Sequence, residues 1–186
     1  TDISKTHVAD VFKDVFGYGL AVDPLTYEGA YVAKSEINGR HDGRVCDTPQ
    51  TPQDGWVYQR LIDNSSADHH VLDLRCPTVY GQIPLIFLKQ RPKNQRFDNL
   101  NTKCALAVPR DHLSEPECAL ISHFCQKMGL DWGGLDILRD SADGRIYIVD
   151  VNKTDMGPPL ALSLRHKLRA TKILGKALRA ALLERV

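Results

Sequence analysis

Apolar residues first recur at helical spacing in Val8, Val11, Phe12, Val15 and Phe16, after Ser4 and before Gly17. A hydroxyl side chain ahead of such a run and a glycine behind it are start and stop signals, so one amphipathic helix is predicted here. A second register, Cys118, Ile121, Phe124, Cys125 and Met128, follows Ser114 and Glu117 and ends at Gly129. Serine and glutamate three apart form a capping box, and the apolar stripe predicts a core-facing helix. At the far end Leu160, Leu164, Leu168, Leu174, Ala177, Leu178, Ala181 and Leu182 alternate with Arg and Lys. This reads as one helix, or two joined near Ala170, packed terminally with its basic side chains in water.

Between these helices the pattern changes to strands. Residues 30–33 form a short apolar run ending at Lys34, and residues 56–62 are rich in β-formers. Residues 71–80 and 83–89 are two further runs separated by Gly81 and Gln82, a hairpin with a short turn.

The last two runs, 135–138 and 145–151, flank Asp140, Ser141, Ala142, Asp143 and Gly144, a turn-rich segment that predicts a hairpin. If Asp140 pairs with Ile146, then Leu135, Ile137, Tyr147, Val149 and Val151 share one face, and Asp136, Asp150 and Asn152 share the other. Asp136 then stands opposite Asp150. Facing carboxylates lie roughly 5 Å apart and repel, so they call for a compensating charge unless the face is simply solvated. A divalent cation supplies one, and two carboxylates with an amide carbonyl suit Mg²⁺.

Composition changes this picture little. The chain has 186 residues, one domain or two small lobes, with 42% hydrophobic and 25% charged residues. A net charge near +1 and a pI of about 7.6 exert no general pull toward nucleic acid or membrane. Cys46, Cys76, Cys104, Cys118 and Cys125 are odd in number and lack CxxC spacing, which favours reduced structural thiols. No signal peptide and no apolar run approaching about 18 residues is present, so a soluble, cytoplasmic chain is expected, in which the sequons at Asn64 and Asn152 have no role.

Candidate chemistry also lies in the loops. Lys34 precedes a turn-rich segment, residues 35–43, with Asn38, Gly39, His41, Asp42 and Gly43. Its backbone amides could cradle phosphates beside the lysine, or it is a plain hairpin with a solvated lysine; it matches neither a Walker loop nor GxGxxG. His69 and His70 are neighbours, point to opposite faces of a strand and lack a third metal ligand, so they are not read as a metal site. Residues 90–103 carry Arg91, Lys93, Arg96 and Lys103 among Asn94, Asn99 and Asn101, and are read as a long basic loop, solvated or anion-binding, with Phe97 packed.

The succession of these segments, with GLDILRD and IVDVNKTD at its most specific point, resembles the ATP-grasp superfamily, particularly its carboxylate–amine ligases. The likeness runs from about Ser4 to the last helix. It implies an α+β fold of two lobes, each an antiparallel sheet covered by helices, with ATP between them: about residues 25–90 as the smaller lobe, and about 91–186 with the N-terminal helix as the larger. It further implies that Lys34, joined by Lys5, holds phosphates under the loop bearing Gly39 and Gly43. Gln59, Arg60, Leu61 and Ile62 would meet the adenine, with Asp63, or in competition Asp68, near the ribose. Asp136, Asp150 and Asn152 would hold one or two Mg²⁺, with Mn²⁺ as a substitute, and Arg75 and Arg96 would face the transferring phosphoryl group.

The implied reaction phosphorylates a small-molecule or peptide carboxylate and passes the acyl phosphate to an amine, which calls for cations and Mg²⁺ rather than a nucleophilic triad. The chain departs from the family pattern in Gln59 where many members have an acid, in Asp150 where many have Glu, and in beginning without the amino-terminal domain of roughly a hundred residues. That domain, or a second chain, is therefore an expected partner. A small-molecule kinase on the same scaffold and a non-catalytic module that senses nucleotide or binds a partner are the alternatives.

Overall fold

The computed structural model describes residues 1–37, 39–40, 42–66, 68–98, 101–155 and 157–184; Asn38, His41 and Asn99 of the sequence reading lie outside the described residues. The chain starts with helix α1 (Lys5–Phe16), where the Ser4 side chain accepts from the His7 amide and Gly17 closes the helix at φ 76°. Val8, Phe12 and Phe16, spaced by four, all fall on its buried face.

Three strands follow, β1 (Tyr31–Ser35), β2 (Arg44–Cys46) and β3 (Trp56–Arg60), forming an antiparallel sheet in the order β2-β1-β3. Alternation divides its two faces. Tyr31, Ala33 and Tyr58 build a small core of their own, while Val32, Lys34 and Gln59 point the other way. β2 was not expected from the sequence: it is only three residues long, with Arg44 and Val45 exposed, and the backbone ladder to β1 defines it.

The second sheet is five-stranded and antiparallel, in the order β6-β5-β4-β7-β8, from β4 (His70–Val79), β5 (Ile86–Pro92), β6 (Lys103–Ala107), β7 (Trp132–Arg139) and β8 (Ile146–Asn152). β4 and β5 pair with each other and with β7 and β6, so they belong to this larger sheet and not to the smaller lobe that the expected boundary near residue 90 would give them. The basic segment is likewise shorter than expected, because β5 continues to Pro92, Lys93–Gln95 is a turn of 3₁₀ helix and Lys103 opens β6. At the β4 end, Val79 and Gln82 exchange backbone hydrogen bonds around Tyr80 and Gly81, whose φ of 47° and 78° are those of a tight hairpin turn.

Helix α2 (Glu115–Lys127), with the complete Ser114–Glu117 capping box, and α1 cover one face of this sheet. The main core lies there, among Phe12, Leu74, Ile86, Ile121, Phe124, Leu135, Ile137 and Ile148. Helix α3 (Leu164–Leu183) is one continuous helix, which buries Ala170 and Leu174 against Leu85 and Phe87; Leu160 lies before it and is exposed.

The β7–β8 hairpin keeps Asp136 opposite Asp150 but does not hold that register throughout. A bulge intervenes: Ile137 faces Ile148 and Arg139 faces Ile146, with Val149 outside the ladder. One extra residue moves everything beyond it to the opposite face, so Ile146 and Ile148, not Tyr147 and Val149, line up with Leu135 and Ile137.

Candidate functional site

The polar face of the larger sheet and the Lys34 face of the smaller one enclose a cavity of about 480 Å³. Alternation supplies its floor. On β4, Leu72, Leu74 and Cys76 enter the main core, whereas Asp73 and Arg75 line the cavity; on β5, Lys89 and Arg91 do so, and on the last hairpin Asp136, Asp150 and Asn152.

Charges of both signs are interleaved there. Arg75 Nη1 donates to Asp136 Oδ2 at 3.2 Å, Lys89 Nζ to Asp136 Oδ1 at 3.4 Å, and Arg75 Nη2 to Asp155 Oδ1 at 3.5 Å. Arg91 is paired with Asp73, whose other oxygen accepts from Asn64 Nδ2 at 2.9 Å. Arg96 Nη2 donates to the Ile62 carbonyl at 2.8 Å and to Asn64 Oδ1 at 3.0 Å, and burial lowers the pKa of its guanidinium. A buried floor this rich in arginine and lysine suits an anionic ligand.

From the opposite sheet Lys34 Nζ reaches the Val149 carbonyl at 3.0 Å. Desolvation pulls its pKa down to about 8 against the nearby Asp150 charge. Burial, then the facing Asp136, raises that of Asp150, while Lys34 and Lys5 oppose the shift. Among the described residues, Asp150 Oδ1 is buried without a hydrogen-bond partner. Lys5, at the start of α1, donates to the Glu36 carbonyl at 3.3 Å. The loop after β1 closes on Phe97, since a Cβ at Gly43 would lie 2.7 Å from its ring.

No protein-family model and no curated protein matches the sequence. Solved structures do match. The ATP-grasp ligase PsnB, complexed with a phosphomimetic variant of a minimal precursor, Mg and ADP, aligns with a TM-score of 0.59 at 17% identity, over 96% of this chain and 57% of PsnB. The fold is ATP-grasp. A Chryseobacterium gregarium RiPP-associated ATP-grasp ligase, in complex with ADP and a leader and core peptide, aligns with the same TM-score at 15% identity, over 98% of this chain and 60% of that one. For the D-alanine–D-alanine ligase of Bacillus anthracis the values are 0.56, 13%, 97% and 69%. The chain thus spans less than two thirds of the first two relatives.

Within the ATP-grasp fold, the cavity brings together Lys5, Lys34, Gly39, Gly43, Gln59, Arg60, Ile62, Arg75, Arg96, Asp136, Asp150 and Asn152 of the sequence-derived residues. Leu61 and Asp63 are not on its wall. Asp63 accepts from the Ser65 side chain and amide and pairs with Lys93, and Asp68 is held outside by Ser66 and His70. Arg60 spans the two sheets, giving Nη2 to Asp140 Oδ2 at 3.1 Å and Nη1 to the Tyr147 hydroxyl at 2.7 Å.

Asp73, Lys89, Asn64 and Asp155 were not among the candidate residues, and Arg91, expected in a basic loop that is solvated or anion-binding, lies on β5 and lines the cavity. A signal existed for Asp73 and Lys89, because each sits on a strand whose other face is apolar. Among the described residues no three His, Cys, Asp or Glu side chains form a metal-binding group. The oxygen set is the Asp136–Asp150 pair beside Asn152, and the unpartnered Asp150 oxygen fits a hard cation. Among the described residues no helix is long and apolar enough to cross a membrane.

Proposed function

We propose that the cavity binds ATP with Mg²⁺ and that the chain is the nucleotide-binding part of, or the whole of, an ATP-dependent ligase joining a carboxylate to an amine. One observation carries this reading. Lysine from one sheet and arginine and lysine from the other converge on a facing carboxylate pair, one oxygen of which is buried and unpartnered. That arrangement suits a triphosphate whose charge is shared between side-chain cations and a divalent metal.

In this reading Asp136, Asp150 and Asn152 hold one or two Mg²⁺, and Mn²⁺ substitutes on the same oxygen set. The bound metal would neutralise charge on the terminal phosphates. Lys34 and Lys5, with the loop bearing Gly39 and Gly43, grip the phosphates, and Gln59, Arg60 and Ile62 border the base. A substrate carboxylate oxygen attacks the γ-phosphorus, the bond to the β–γ bridging oxygen breaks and ADP leaves. An amine then attacks the acyl carbon, expels phosphate and loses a proton. Arg75 and Arg96 neutralise the transferring group, whose charge is otherwise exposed to the low-dielectric floor. The ATP-grasp ligases of similar fold whose structures hold precursor, leader or core peptides support a peptide as one form of the substrate.

Calorimetric titration of Mg²⁺ and a non-hydrolysable ATP analogue into the wild type, Asp150→Ala and Lys34→Ala tests the nucleotide site. Binding that requires Mg²⁺ and weakens in both variants supports it; no binding by a folded wild type overturns it. Product analysis then separates the chemistries, since a new amide with ADP and phosphate supports the ligase and a stable phosphorylated product overturns it in favour of a kinase.

A further inference from the structure

Asp155 lies in the segment after β8 and is absent from the cavity wall, yet its side chain is only 2% exposed. It is an ionisable group with an unusual set of neighbours. Oδ1 accepts from Arg75 Nη2 at 3.5 Å, burial raises the pKa of the carboxyl while Arg75 opposes the shift, and among the described residues Oδ2 is buried with no partner. An acid buried in this way is retained at a cost, and among the described residues its cationic contact is Arg75.

The guanidinium is enclosed from three directions. Asp136 holds Nη1, Asp155 holds Nη2, and Gly134 lies against it so closely that a Cβ there would fall 2.6 Å from Nη2 and 2.7 Å from Cζ. The two acids are not equivalent. Asp136 is shared with Lys89 and faces Asp150, so in the function proposed above it is also a metal ligand. A carboxylate that gives its charge to a cation holds a neighbouring guanidinium less strongly.

We propose that Asp155 is a positioning residue for Arg75: when Asp136 turns to a metal ion, the buried Asp155 carboxylate remains as the counter-ion that keeps the guanidinium against Gly134, facing the transferring phosphoryl group. This rests on the nucleotide reading of the cavity. It assigns Gly134 a part as well, since any side chain there would occupy the place of the guanidinium.

The test is ¹⁵N spectroscopy of arginine side chains, with the Arg75 signals identified by their loss in Arg75→Lys. Spectra are recorded with and without Mg²⁺ and a non-hydrolysable ATP analogue. The expected wild type shows resolved Nη–Hη signals for Arg75, the mark of restricted rotation, and keeps them when Mg²⁺-nucleotide binds. In Asp155→Asn, which preserves shape but removes the charge, the signals collapse to an average once Mg²⁺-nucleotide is bound, while Kd changes by no more than about threefold. Asp155→Glu restores them in part, and Gly134→Ala loses them by the independent route of displacing the guanidinium. Restricted rotation that survives in Asp155→Asn with nucleotide bound overturns the assignment, as does its loss in the wild type on binding. Failure of the wild type to bind nucleotide is read separately, by calorimetry, and overturns the function proposed above together with the role assigned to Asp155 in it.

Discussion

Asp136 and Asp150 stand directly opposite one another across the β7–β8 ladder, on the sheet face that floors the cavity, and only Asp136 has both of its oxygens on cations. Asp150 has Lys34 and Lys5 near it, yet among the described residues its Oδ1 takes no hydrogen bond. Replacing Asp150 by Asn removes a buried charge and its repulsion with Asp136, and is expected to stabilise the ligand-free chain by about 1 kcal/mol while weakening Mg²⁺-dependent nucleotide binding at least about tenfold. Denaturant unfolding and calorimetry on the same samples check both halves. A variant that is less stable than the wild type contradicts the buried-charge account.

Lys34 gives a pH dependence. Its protonated form is the one that meets phosphate, and burial holds its pKa at about 8. Below that value the charge is already present. Above it, binding must take up a proton, so Kd for Mg²⁺-nucleotide should be flat on the acid side of pH 8 and rise on the alkaline side by up to about tenfold per pH unit. In Lys34→Met the alkaline rise should vanish. A slope unchanged in that variant would assign the titration to another group.

Arg60 joins the smaller sheet to the tip of the last hairpin through Asp140, whose side chain is almost wholly buried. Arg60→Met leaves that carboxylate in place with its ion-pair partner gone. Breaking a buried pair from one side costs about 3 kcal/mol, and somewhat less here because Arg60 itself is partly exposed. Asp140→Asn in the Arg60→Met background should recover part of the loss. A double variant no more stable than the single one argues that Arg60 acts through its place over the Tyr147 ring instead.

Gly133 has a different reason from its neighbour Gly134. A Cβ at Gly133 would collide with the Asn152 carbonyl oxygen and lie 2.8 Å from Leu130 Cδ1. Backbone cannot yield as a side chain can, so Gly133→Ala should destabilise by about 1–3 kcal/mol and displace Asn152. Thermal unfolding measures the first effect, and weakened Mg²⁺ dependence of nucleotide binding the second.

The elements legible in the sequence were those governed by near neighbours. Ser4 and Gly17 bound α1, and Ser114 and Glu117 cap α2, because a cap acts on amides and carbonyls within one turn of helix. The Asp136–Asp150 opposition holds although the turn pairs Arg139, not Asp140, with Ile146, because the bulge at Val149 restores the register in which the two carboxylates face each other. β2 was not legible, because three residues are too few to display an alternation of faces. Nor was the bulge, whose extra residue, Val149, offers its carbonyl to a lysine 115 positions earlier.

Local sterics and the two hydrophobic periodicities account for the helices, their caps and the strand runs that carry the candidate residues. Long-range sheet pairing joins β4 and β5 to the last hairpin, brings Lys34 across to it and holds Arg75 between Asp136 and Asp155, 61 and 80 residues away. Those relations depend on which strand edges meet and which charges share a low-dielectric space, and both are settled by sheet pairing over long separations rather than by any neighbouring residue.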